Sequence, residues 1–182
     1  MKINGDFVFK LLNVVSWILF VGLAIETGGY FTNAIVTLFI KSEWAGHFWG
    51  NLDLSNLYKF DLGLFICFIV GLISISLFKT ILFYHTISIF HKKKFNLESP
   101  FNDTIKIYLF NFAYIALGIG LLSYVMKVFS NWLINQEVNL PSLENMNIGG
   151  SDVWIFMGIT LLLFAKIFKK GVELQNENEF TV

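Results

Sequence analysis

Residues 20–32 read FVGLAIETGGYFT. A single acid, Glu26, stands in an apolar run, with Gly28 and Gly29 close behind it. Ionising a carboxylate away from water is expensive, so the surroundings of Glu26 decide what kind of chain this is. The apolar run extends over roughly residues 11–40, well beyond the about 20 helical residues that cross a bilayer. It is too long for a signal peptide and no small-residue cleavage site follows it, so it reads as a permanent membrane helix.

The composition points the same way. Of 182 residues, 55% are hydrophobic and 14% charged, where a water-soluble domain carries about a quarter charged. Twenty-one phenylalanines and five tryptophans strengthen the bias. The formal net charge is zero, and no basic stretch reaches the size of a nucleic-acid patch, so direct nucleic-acid binding is not expected. A single cysteine, Cys67, excludes an internal disulfide and a cysteine-based metal cluster. It lies in an apolar run, where a space-filling role is expected.

Three further apolar runs follow, at about 61–90, 107–130 and 152–168. The predicted fold is all-α: a polytopic bundle of four transmembrane helices, one membrane domain over 1–182 with a tail at 169–182. The first two runs measure roughly 45 Å as helix, against a hydrocarbon core of about 30 Å, so each must tilt, bend or protrude.

The basic residues are all lysines, and they are unevenly placed. Lys2 and Lys10 precede the first span, Lys92, Lys93, Lys94 and Lys106 fall between the second and third, and Lys169 and Lys170 follow the fourth. The other two connections hold Lys41 and Lys59, and no lysine between Trp132 and Ser151. The positive-inside rule then places both termini and the HKKKF stretch in the cytoplasm. Trp44, Trp49, Trp132 and Trp154 gather at the opposite boundary, as an interfacial aromatic belt would. The outer connection KSEWAGHFWGNLDLSNLYKF (41–60) fits a short amphipathic helix on the membrane surface. The second, NQEVNLPSLENMNIGG (135–150), with its asparagines, Pro141 and a glycine pair, reads as loop.

Glu26 lies sixteen residues beyond Lys10, roughly 24 Å along a helix. Lys79, in the second span, lies thirteen residues before Lys92, roughly 20 Å. The two charges therefore share a depth and can pair. Gly22, Glu26, Gly29 and Asn33 follow one another at offsets of four, three and four, along one helix face that is small and polar. Three readings stay open. The pair orients two helices; or Glu26, Lys79 and Asn33 serve a ligand, lipid, ion or proton; or Gly28 and Gly29 kink the helix and leave Glu26 near water. In the third span, Asn111 and Gly118 share a face with Tyr114 between them and Gly120 nearby, the pattern of close helix packing. Lys127 and Lys166 are expected to snorkel to opposite surfaces.

Catalytic patterns are missing. His47, His85 and His91 are scattered without metal-ligand spacing. Asp61 and Asp152 each precede an apolar run, as helix caps do. No GxSxG elbow or phosphate loop occurs. No enzyme activity, metal or cofactor is expected.

The chain ends IFKKGVELQNENEFTV (167–182). Two lysines suit an anionic inner leaflet. Glu173 and Glu177 fall on one face if the helix continues, and Val172, Leu174 and Phe180 interrupt the acids. This ending resembles the C-terminal signature of the DUF2975 family of uncharacterised bacterial membrane proteins, Phe–basic–basic–Gly–x–x–Leu–x–x–Glu–x–x–Leu/Phe–Thr–Val. It is matched by Phe168, Lys169, Lys170, Gly171, Leu174, Glu177, Phe180, Thr181 and Val182. An early Ile/Leu-Glu-x-Gly-Gly is matched by Ile25, Glu26, Gly28 and Gly29, and a Pro-Phe by Pro100 and Phe101.

The resemblance implies four spans, a bacterial inner membrane, and no activity that carries over. Its members are often encoded beside a very small helix-turn-helix regulator, which implies a membrane partner that holds or releases a DNA-binding protein. Under that reading the HKKKF lysines and the residues Lys169, Lys170, Glu173, Glu177 and Phe180 are docking candidates. The alternative is that the tail caps the fourth span and packs under the bundle. Besides the lipid bilayer, a homo-oligomer is compatible with the sequence.

Overall fold

A computed structural model describes residues 5–91 and 103–179. Five helices account for most of them: α1 (Gly5–Phe39), α2 (Ser55–Phe60), α3 (Leu62–His91), α4 (Asp103–Asn135) and α5 (Ser151–Glu179). All but α2 are long and apolar enough to cross a membrane. Long apolar helices form here because every backbone donor and acceptor is satisfied within the segment, as a lipid environment demands. α1 passes through Gly28 and Gly29 as one uninterrupted helix. Cys67 is exposed on α3, so the space-filling role does not hold.

The helices pack in a row rather than a closed ring. α1 lies on α3, α3 on α4, and α4 most extensively on α5, with no contact between α1 and α5 among the described residues. Between membrane helices the driving force is close van der Waals packing, since lipid is as apolar as leucine. The α4–α5 seam shows it. A Cβ at Gly120 would stand 2.6 Å from Ile155 Cγ1 and 2.8 Å from the Ile155 backbone nitrogen, and one at Gly158 would stand 2.9 Å from the Leu117 nitrogen.

That seam also sets the level at which α5 begins. The Ser151 carbonyl lies 3.1 Å from the Cβ position of Gly120, fifteen residues before the end of α4, or roughly 22 Å along it. The connection 136–150 therefore turns back alongside α4 and reaches its middle. It is held there by Val138, Met146 and Ile148, all at most 4% exposed. At its other end, α5 runs past the first residue of α4: Gly158 faces Leu117, which puts Val172 opposite Asp103 and leaves Glu173–Glu179 projecting roughly 10 Å.

The connection 40–61 is likewise packed rather than laid flat. Two short 3-10 turns, Ser42–His47 and Trp49–Asn51, lead into α2, and Ala45, Phe48, Leu52, Leu54 and Leu57 are each at most 2% exposed. Tyr30 stacks on Phe48, and Phe48 meets Phe65 edge-on, so this segment ties α1 to α3.

Candidate functional site

α1 and α3 meet through hydroxyls. Thr27 Oγ1 lies 2.7 Å from Ser76 Oγ and 3.0 Å from Thr80 Oγ1. Thr27 and Thr80 also bond the carbonyls of Leu23 and Ser76 one turn back on their own helices. Such contacts average about 0.6 kcal/mol each between membrane helices, so they set register more than stability. Glu26 and Lys79 are the immediate neighbours of Thr27 and Thr80.

The two charges do not form an ion pair among the described residues. Asn147 stands between them. Lys79 Nζ donates to the Asn147 backbone carbonyl at 2.5 Å, and Asn147 Nδ2 donates to Glu26 Oε1 at 3.2 Å. Asn147 adopts φ 55°, a left-handed conformation that asparagine tolerates better than most residues. Its neighbours Met146 and Ile148 are buried while Asn147 itself is exposed. Buried flanks fix the backbone, and the αL turn presents both polar groups to the charges. Tyr30, 2% exposed, donates to the Met146 carbonyl at 3.4 Å and closes the other side. Glu26 and Lys79 are each half-buried, so the cluster is neither sealed in the core nor open surface.

The remaining sequence-predicted residues are placed as follows. The Asn33 amide donates to the Gly29 carbonyl at 2.9 Å, turned back onto its own helix. Gly22 and Gly28 have no atom within 4 Å of a Cβ position, Gly29 lies against the Trp49 indole, and Gly118 is in ordinary contact with Phe78. Asn111 is exposed on α4. Lys169 and Lys170 both pair with Glu173, at 3.8 and 3.6 Å, and Glu177 lies two turns beyond Lys170 on the projecting end of α5. Lys92, Lys93, Lys94 and Phe180 lie outside the described residues.

Sequence reasoning missed Asn147, Tyr30 and the Thr27–Ser76–Thr80 cluster. The cluster had a signal, since Ser76 and Thr80 are one helical turn apart on an apolar helix beside Lys79. Asn147 had none, because it is one of several asparagines in a loop.

No curated protein and no solved structure matches the chain. A family model described as a protein of unknown function, DUF2975, matches residues 53–182. The matched region takes in α2 to α5, Pro100–Phe101 and the whole C-terminal motif, and begins after α1. The chain belongs to the DUF2975 family.

Proposed function

We propose that this chain is a non-catalytic regulatory or adaptor protein of the bacterial inner membrane, acting through protein contacts at its lysine-bearing end. One observation carries the reading: α5 continues unbroken through Lys169–Gly171 and projects about two turns past α4. A helix end that projects is a surface for a partner. It offers acids at Glu173 and Glu177 and an exposed Leu174, which suit the basic, partly apolar face of a small helix-turn-helix regulator. The lysine asymmetry supports a cytoplasmic position for this end. Val172, buried where α5 passes the start of α4, divides the tail into a packed root and a projecting tip.

Co-purification from native membranes in mild detergent tests this, comparing the full chain with one ending at Lys170. A small DNA-binding protein retained by the full chain and lost on truncation is the expected result. Equal retention by both chains, or none by either, would remove the tail from the mechanism.

A second reading rests on the Glu26–Asn147–Lys79 cluster: a carrier or sensor of a small ligand, lipid or ion. Two half-buried opposite charges that meet a loop residue instead of each other form a site whose occupant can change.

A further inference from the structure

The groove between α4 and α5 opens where α5 begins. Tyr124 and Lys127 line it from α4, and Asp152, Ile155, Phe156 and Ile159 line it from α5, around a cavity of about 550 Å³. Lys127 and Asp152 carry opposite charges on one cavity, yet they do not pair. The ion pairs among the described residues lie elsewhere, at Lys106–Asp103 and around Glu173. The other α5 residues of the wall follow Asp152 at offsets of three, four and seven, along one helix face. That face is apolar, with Phe156 and Ile159 exposed on it.

The depth of the cavity follows from the α4–α5 seam. Gly120 faces Ile155 and Gly158 faces Leu117, so Lys166 stands opposite Leu109. Lys127 lies eighteen residues farther along α4, roughly 27 Å, close to the about 30 Å of a hydrocarbon core. The two lysines therefore mark opposite edges of the apolar slab, and the cavity lies at a headgroup layer. Side chains lean toward the N-terminus of their helix, and α4 and α5 are antiparallel. Lys127 accordingly leans inward and Asp152 outward, which brings their charges toward a common level.

An occupant of this cavity meets an ammonium, a carboxylate and an apolar wall running toward the bilayer interior. It needs an anion for Lys127, a cationic N–H donor for Asp152 and an acyl chain for Phe156 and Ile159. We propose that the cavity is a headgroup site for a phospholipid of the phosphatidylethanolamine class. Its phosphate meets Lys127, its ammonium meets Asp152, and one acyl chain lies along α5. Phosphatidylglycerol brings no cation to Asp152, and the quaternary ammonium of phosphatidylcholine has no N–H to donate. Charge complementarity of this kind gives selectivity among partners more than raw affinity. The site is separate from the projecting tail and from the Glu26–Lys79 cluster.

Native mass spectrometry of the full chain tests this, with an equimolar mixture of phosphatidylethanolamine, phosphatidylglycerol and phosphatidylcholine bearing identical chains. One equivalent of phosphatidylethanolamine is expected to be retained, about fivefold in preference to either competitor, the upper range for one exposed ion pair. Asp152→Asn is expected to erase the preference over phosphatidylglycerol. Lys127→Gln is expected to lower retention of both lipids, while Lys166→Gln, at the opposite edge, leaves the preference intact. Lys127 and Asp152 are exposed, so neither substitution should prevent folding. Equal retention of the three lipids by the parent would mean unselective annular lipid and overturn the site. A preference for phosphatidylglycerol would leave an anion contact at Lys127 and overturn the role of Asp152. A phosphatidylethanolamine preference that survives both D152N and K127Q would place the lipid elsewhere and overturn the assignment.

Discussion

Asn147 and Asp53 act through the same device, a short polar side chain that reaches groups the backbone cannot, but they differ in how far they reach. Asp53 works locally. Its Oδ1 accepts from the Ser55 hydroxyl at 2.6 Å and the Ser55 backbone N–H at 2.9 Å, holding the chain where it enters α2. Those two bonds, the hydroxyl first, hold the Asp53 carboxyl below its ordinary value. A depressed value means that stability is present above the unfolded pKa and is lost as pH falls through the folded one. The carboxyl is almost fully exposed, so its contribution is small, under about 1 kcal/mol. Asp53→Ala is therefore expected to unfold at a lower temperature than the parent near pH 6, with the gap closing near pH 2. Thermal unfolding followed by tryptophan fluorescence at both pH values checks it, and a gap independent of pH would assign the effect to something other than the carboxylate. This local turn was within reach of sequence reasoning, since Asp two residues before Ser is a local pattern. The Asn147 contact was not, because its partner Glu26 is 121 residues away.

Among the helices, α4 and α5 form the tightest pair, and glycine makes it possible. Gly158 faces Leu117 with backbone as well as side-chain atoms inside the reach of a Cβ. A side chain could yield; the backbone nitrogen of a long helix cannot do so cheaply. Gly158→Leu is expected to destabilise the protein by about 1–3 kcal/mol or more, the range for overpacking a fitted interface, measured by thermal unfolding in detergent. Gly71→Ala makes an informative contrast. Its nearest neighbours are atoms of the Met126 side chain, a flexible gap-filler, so its loss should be distinctly smaller. Equal effects at the two positions would mean that backbone proximity is not what holds the seam. The sequence shows the glycines of α4 and α5. It does not show which of them meet a neighbour, since Gly22 and Gly28 look equally suitable and face open space.

Across the molecule, the connection 136–150 joins two parts that the helices leave apart. α1 and α5 do not touch among the described residues, yet this segment leaves α4, seats Met146 and Ile148 in the core, meets Tyr30, Glu26 and Lys79, and delivers α5 to the middle of α4. Irregular backbone between spanning helices is tolerated where it is buried in protein, and this connection is anchored by buried Val138, Met146 and Ile148. Met146→Ala is expected to cost about 2–4 kcal/mol through the cavity it leaves. Amide hydrogen exchange should rise over 143–150 and at the base of α5, while the α1–α3 hydroxyl cluster stays protected. Uniformly faster exchange would show that the connection is not a separate cooperative unit.

The number of long apolar helices and the all-α class could be read from the amino-acid sequence, but not every length: the third and fourth run past the expected 107–130 and 152–168, to Asp103–Asn135 and Ser151–Glu179. Number and class follow from local composition, because a segment in lipid must satisfy its own backbone hydrogen bonds whatever its neighbours do. The C-terminal motif and its family were equally legible, being written in consecutive residues. What only the tertiary structure decided was the open order α1–α3–α4–α5, the glycines at which helices meet, and the asparagine set between Glu26 and Lys79. Helix faces toward lipid and toward protein are both apolar, so no periodic pattern marks which side packs. Contacts between residues far apart in the chain leave no trace in the local sequence of either partner.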